Sequence, residues 1–197
     1  MAQATPHTSS VRSSIAPSES NPATVQVFGA LGEAVLDMLG SCGVSNVRRT
    51  SAVATRMDCA CLASFIGFTG ACIRGCLTVL GPSDVFARTH PGQAMGAILS
   101  ESDVSDWCCE FSNQLLGRLK NKLLRRGVDI ELSTPQGILA ESLRLSAHGD
   151  GMLQVATYDV APLELTTSIE VSIDEALTFS EGASEVGSAG EGDVMLL

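Results

Sequence analysis

The chain has 197 residues, 45% of them hydrophobic, enough for one domain with a real core plus tails and too little for two full domains. Its 12 basic and 22 acidic residues give a formal net charge of −10. Both signs number 12 through Arg144, and the ten surplus acids all follow it, where no Lys or Arg remains. This balance argues against nucleic acid as a partner, because duplex binding needs cations that displace phosphate counterions. The chain offers only a short cluster, Arg118, Lys120, Lys122, Arg125 and Arg126.

Seven cysteines are an odd number, and the opening MAQATPHTSS lacks the basic-then-apolar layout of a secretory signal. Reduced thiols in a cytoplasm are therefore expected. The longest apolar stretches are broken by Arg, Gly or Asp before the roughly 18 residues that would span a bilayer, so no membrane partner is expected.

Residues 1–22, rich in Ser, Pro, Thr and Ala, show no apolar periodicity and read as a flexible tail. Residues 23–179 read as the folded domain. Residues 180–197 read as a second, acidic flexible tail of Gly, Ser, Ala and Glu, although its last four, Val194 to Leu197, are apolar.

In the domain, Val25, Phe28, Leu31, Val35, Met38 and Leu39 recur at helical spacing and predict a first helix ended by Gly40 and Gly43. A strand is expected near Ser51 to Arg56. CLASFIGF and ACIRGCLTVL then predict an antiparallel hairpin turning across Phe68 to Ala71. Ser83 is the expected cap of a short helix that Pro91-Gly92 ends or interrupts.

A long helix follows, with Ser100 or Ser102 as its cap, Asp103 and Asp106 in its first turns, Lys120, Lys122, Arg125 and Arg126 near its end, and Gly127 as its stop. Past Gly127, VDIELS, ILAESLRLS, MLQVATYDV and LELTTSIEVSI predict strands, with a turn at His148 to Gly151. The two halves share an order: helix, Gly-Val (Gly43-Val44 and Gly127-Val128), a first strand, then a Gly-centred hairpin. The expected fold class is α+β, a duplicated helix-plus-three-strand unit whose antiparallel sheet is packed by helices.

At 100° per residue from Val104, Trp107, Cys108, Phe111, Leu115, Leu119 and Leu123 occupy one side of the long helix and predict its core face. The opposite side, near roughly 200°, holds Asp106, Glu110, Asn113, Gly117 and Lys120. A carboxylate and an amide three residues apart, with a side-chain-free Gly117 one turn on, form a face that another protein's backbone can approach closely.

Within Asp106 to Pro135, the ordered set Glu110, Asn113, Gly117, Lys120 and Ser133-Thr134-Pro135 resembles the signature region of the CheX branch of the CheC/CheX/FliY chemotaxis phosphatases. The resemblance implies a CheC/CheX-like fold and removal of the aspartyl phosphate from a phosphorylated CheY-type response regulator. Carried over, Asn113 would orient the attacking water and Glu110 would pair with the regulator's active-site Lys. Asp106, Gly117 and Lys120 would contact that partner. The resemblance also implies no cofactor held by this chain, with Mg²⁺ in the regulator, and a homodimer joined through edge strands. The offset between the two Gly-Val pairs puts Gln26 and Gly29 at the corresponding positions of the first helix, so a single site per chain is expected. The alternative function is a non-catalytic CheX-like interaction module in two-component signalling.

Other signals are weaker. Cys59-x-Cys61 and Cys72-x-x-x-Cys76 fall in or beside predicted strands, without the separation common in zinc knuckles, and read as buried small side chains; no metal site is expected. His7, His90 and His148 form no pair with metal or dyad spacing. Trp107 reads as a core aromatic beside Phe111.

Overall fold

A computed structural model describes residues 21–50, 55–146 and 151–180. Helix α1 spans Pro22–Ser41 and is capped by Asn21, whose side chain accepts from the Ala23 amide at 2.9 Å. Strands β1 (Arg48–Arg49), β2 (Arg56–Met57), β3 (Cys61–Thr69) and β4 (Ile73–Gly81) follow. Then come α2 (Ser83–Thr89), a 3₁₀ turn (Pro91–Met95) and α3 (Glu101–Leu124). Strands β5 (Glu131–Leu132), β6 (Gln136–Ala140), β7 (Leu143–Arg144), β8 (Met152–Val160) and β9 (Leu163–Ile173) complete the chain.

The main sheet runs β1-β8-β9-β4-β3-β5, with β6 also on β3, and every pairing is antiparallel. Matching α1, β1, β3 and β4 of the first half to α3, β5, β8 and β9 of the second maps this order onto itself. The last strands of the halves meet at the centre, and each half's first strand crosses to pair with the other half. Both helices end alike: the Val44 amide reaches the Leu39 carbonyl and the Val128 amide the Leu123 carbonyl, each at 3.0 Å. Gly43 and Gly127 supply the positive φ, +78° and +81°, that this reversal needs. The duplicated unit read from the sequence is the architecture found.

The core lies between the sheet and the helices. Trp107, Cys108, Phe111, Leu115, Leu119 and Leu123 are all buried, as the 100° periodicity predicts, and so are Ser112 and Leu116, because α3 is covered by β3 and β6 as well as by α1 and α2. Phe111 stands edge-to-face with Phe86 and with Trp107, at centroid distances of 6.2 and 6.1 Å. The Trp107 indole donates to Thr89 Oγ1 at 3.1 Å, which satisfies its buried N–H. Ser64 and Ser112 share a buried hydrogen bond of 2.7 Å, tying α3 to β3.

Helix α1 meets the length and hydropathy of a membrane span, in spite of its Gly, Glu and Asp residues. Nine of its residues are nonetheless buried in this fold, and Glu33 and Asp37 meet Lys122 of α3 at 3.4 and 2.8 Å. That is the behaviour of a core helix.

Four sequence expectations are corrected. Val25 is 55% exposed, because the buried stripe of α1 runs through Ala23, Thr24, Val27, Ala30 and Ala34, small residues that let α1 lie close to its neighbours. Ser83 does not cap α2: Pro82 holds that position and no side chain caps the amides. In VDIELS only Glu131 and Leu132 join the ladder. ILAESLRLS is not one strand but two, β6 on the main sheet and β7 paired with β2 in a separate ribbon, separated at Glu141-Ser142. The strand expected at Ser51 to Arg56 falls partly, and the turn at His148 to Gly151 largely, outside the described residues.

Of the two capping residues offered by the sequence, Ser100 is the one used. Its hydroxyl accepts from the Asp103 amide at 3.2 Å, while its own amide donates back to the Asp103 carboxylate at 2.8 Å. These bonds from the Ser100 side chain and backbone hold the Asp103 carboxyl below its ordinary range. A depressed carboxylate stabilises the fold above its unfolded pKa, and that contribution fades as pH falls through the folded one. Ser100→Ala is expected to cost about 1 kcal/mol in denaturant unfolding and to move the Asp103 titration upward by NMR. An unchanged titration would contradict the capping box.

Candidate functional site

The exposed stripe of α3 carries Asp106, Glu110, Asn113, Gly117 and Lys120, the five residues singled out in the sequence. Asp106 and Glu110 are exposed and the other three half-buried. The stripe exists because the opposite face is pinned by Phe111, Leu115 and Leu119, each fully buried. Every i, i+3 or i+4 neighbour of Glu110 on the outer side must therefore face away from the sheet.

Glu110 accepts from Gln114 Nε2 at 2.8 Å, one turn further along. This contact, missed in the sequence, was legible as an i, i+4 pair; it steadies the carboxylate through one oxygen and leaves the other without a partner among the described residues. Asn113 sits one turn from Glu110, with Cβ atoms roughly 5–6 Å apart as in any such pair. Its amide has no hydrogen-bond partner among the described residues and is not one of the buried unpartnered polar groups, so it keeps contact with solvent. Lys120 is committed to Asp129, at 3.2 Å, and meets a partner with that ion pair attached.

A Cβ built on Gly117 would meet nothing within 4 Å. The glycine is thus not required by packing, and it leaves a gap in the stripe between Asn113 and Lys120. Gly117→Ala is expected to raise unfolding stability by about 0.5–1 kcal/mol, the usual gain for an unobstructed helix position. If the gap receives a partner's backbone, the same variant binds that partner more weakly. Lower stability would show a packing role that the geometry denies.

Ser133-Thr134-Pro135 shapes the flank of this face. Between β5 and β6 the chain leaves the ladder, and Ser133 bridges the gap: its amide donates to the Gly67 carbonyl and its hydroxyl accepts from the Gly67 amide, both at 2.9 Å. Beyond Pro135, β6 returns to the sheet with Gly137 under α3, where a Cβ would stand 2.8 Å from Cys109 Sγ. The clamp and that close approach set α3 against β6 beside Glu110.

On α1, Gln26 and Gly29 are exposed at the equivalent positions. The Gln26 carbonyl accepts from Arg126 at 3.3 Å. The acid-amide pair is thus present on α3 and absent from α1. Among the described residues no group of three or more His, Cys, Asp or Glu side chains is placed to hold a metal. A groove of about 860 Å³, lined by Arg74, Cys76, Glu131, Glu170 and Ser172 among others, opens on the sheet face away from α3.

The topology is that of CheC/CheX-like proteins. It is similar to CheX from Vibrio vulnificus, with a TM-score of 0.64 and 16% identity over 74% of this chain and 96% of that one. It is similar also to a CheC-like superfamily protein from Shewanella sp. PV-4, with a TM-score of 0.62 and 16% identity over 75% and 98%. A third similar structure is CheX from Borrelia burgdorferi in complex with CheY, BeF₃ and Mg²⁺, with a TM-score of 0.57 and 13% identity over 75% and 96%. No curated protein matches the sequence. The family profile described as chemotaxis phosphatase CheX matches residues 62–156, which include Glu110, Asn113 and Ser133 to Pro135. That profile covers just under half of the chain, and in fold and in this segment the chain is similar to the CheX-like chemotaxis phosphatases.

Proposed function

We propose that the protein dephosphorylates a CheY-type response regulator, docking the exposed stripe of α3 on the regulator's phosphorylation site. The carrying observation is the pair Glu110 and Asn113, one turn apart on a capped helix, with the Asn113 amide free of any described partner and open to solvent. The complex of a structurally similar CheX with CheY supports the choice of partner.

In this reading Asn113 accepts a hydrogen bond from a water and donates to the phosphoryl group, lining the water up behind the phosphorus. The water oxygen bonds to phosphorus, the bond to the aspartyl oxygen breaks, and the carboxylate and inorganic phosphate leave, with one proton lost to solvent. Phosphoryl transfer asks mainly for positioning and charge compensation, so no strong base is required here. Glu110 pairs with a cationic side chain of the regulator and sets the register. Mg²⁺, in this reading, belongs to the regulator.

An acyl phosphate already hydrolyses unaided, so an acceleration of about 10² asks for only about 2.7 kcal/mol of barrier lowering. The test is the decay of a labelled phosphoryl group from purified CheY-type regulators with and without the protein, in H₂¹⁸O. The expected result is faster decay with ¹⁸O in the released phosphate. Unchanged decay on every regulator that binds would favour the non-catalytic module. The edge-strand homodimer implied by the family resemblance would use β6, which leaves Ile138 and Leu139 exposed.

A further inference from the structure

The face of the main sheet turned away from α3 carries a polar row that plays no part in the α3 stripe. Glu131 on β5 stands opposite Thr69 on β3, Thr69 opposite Arg74 on β4, and Arg74 opposite Ser172 on β9. Residues opposite one another in an antiparallel ladder project from the same face. That face is the outer one, because Ser64, five positions before Thr69 on β3, bonds to Ser112 of α3 at 2.7 Å and so points the other way. Neighbouring strands lie roughly 4.8 Å apart, so the Glu131 and Arg74 backbones, two strands apart, are separated by about 10 Å.

Thr69, Arg74 and Ser172 line two adjoining hollows at once: the groove of about 860 Å³, which Glu131 and Glu170 also line, and a smaller one of about 250 Å³ reaching to Asp174. Neither the Arg74 guanidinium nor the Glu131 carboxylate forms an ion pair with a described residue, and the Thr69 and Ser172 hydroxyls have no hydrogen-bond partner among them. Glu170 and Asp174, two positions either side of Ser172, are otherwise engaged: Asp174 accepts from the Ala176 amide at 2.9 Å, and Glu170 has an interaction of its own.

The groove thus offers one open cation and one open anion on a single face, with hydroxyls beside the cation. A dianion placed on Arg74 would meet the repulsion of three acids, Glu131, Glu170 and Asp174, whereas a molecule carrying both signs matches each end. We propose that this groove binds a small zwitterion of extended shape, an ω-amino acid or a short peptide with free termini. Its carboxylate lies on Arg74 between the Thr69 and Ser172 hydroxyls, and its ammonium reaches toward Glu131. The volume falls within the range of about 300–1,000 Å³ usual for small-ligand sites. The sheet separates this groove from Glu110 and Asn113, so the site stands or falls independently of the phosphatase reading.

Chemical-shift titration of the ¹⁵N-labelled full chain at fixed ionic strength tests the proposal, with 6-aminohexanoate and triglycine as probes. At least one of them is expected to move the Thr69, Arg74, Glu131 and Ser172 amides saturably, and the tighter of the two identifies the source as amino acid or peptide. Analogues with one end neutralised, hexanoate and hexylamine for the first and acetyl- or amide-capped triglycine for the second, are expected to bind roughly fivefold more weakly, the worth of one exposed ion pair. Arg74→Gln and Glu131→Gln are each expected to cost the parent probe the same factor. Both residues are exposed, so neither variant should disturb the fold, and the comparison of analogues needs no variant.

No saturable shift with either probe would overturn the proposal. So would equally tight binding of a capped analogue or of a probe by the Arg74→Gln protein, either of which would mean nonspecific association. Tighter binding of inorganic phosphate than of both zwitterions would overturn it too, by making the groove a plain anion site.

Discussion

Asn113→Ala is expected to abolish the accelerated loss of phosphate from the regulator while leaving binding to it nearly unchanged. The side chain is half-buried on the stripe opposite the core face and has no hydrogen-bond partner among the described residues, so its loss should disturb α3 little. Its proposed work is confined to the transition state, where it holds water in line. Removal of such an interaction lowers kcat and kcat/KM together. The whole acceleration, about 10² or about 2.7 kcal/mol, is the expected loss. Glu110→Ala should behave differently: a docking contact formed in both the bound and the transition state raises KM with little change in kcat. If the two variants show the same split, the separate roles assigned to them are wrong.

Phe111→Ala is the substitution with the largest expected effect on stability. Phe111 is fully buried and faces Phe86 and Trp107 edge-on. Truncation removes transfer free energy and both ring contacts, and leaves a cavity that the capped helix and the sheet cannot close, a cost of about 3–5 kcal/mol. That is a large share of the usual stability of about 5–15 kcal/mol for a domain. Chemical denaturation followed by Trp107 fluorescence measures it. A cost below about 1 kcal/mol would mean that α3 is not seated as described. Glu110 and Asn113 flank this residue, so the same packing that stabilises the domain fixes the direction of the site.

Helix α3 was legible almost throughout. Its cap, its core face and its stop each depend on residues adjacent in sequence or one turn apart, and local rules suffice for them. The outward placement of Glu110 and Asn113 followed from the same periodicity, and the internal repeat followed from two Gly-Val pairs. The crossing of first strands between halves was not legible, because the partners of Arg48-Arg49 and Glu131-Leu132 are Asp159-Tyr158 and Thr69-Phe68, far outside any local window. Ile138 to Ser146 alternates well enough for one strand, yet it divides because β2 offers Leu143-Arg144 a second partner. Val25 misled for a different reason: Ala23, Ala30 and Ala34, nearly silent in an apolar count, share the buried stripe with Val27, Leu31, Val35, Met38 and Leu39, and that stripe leaves Val25 outside. At the site, the commitment of Lys120 to Asp129 joins α3 to the strand segment after it, and no spacing within the helix announces it.

The most direct test of the central claim combines binding and decay on one regulator. A CheY-type regulator that binds wild type and Asn113→Ala with equal affinity is phosphorylated, and its loss of phosphate is followed at saturation with each protein. The account predicts decay about 10² faster than unaided with wild type, and near the unaided rate with Asn113→Ala. Equal decay with the two proteins would contradict it, by removing Asn113 from the chemistry if both are fast and the chemistry from this protein if both are slow.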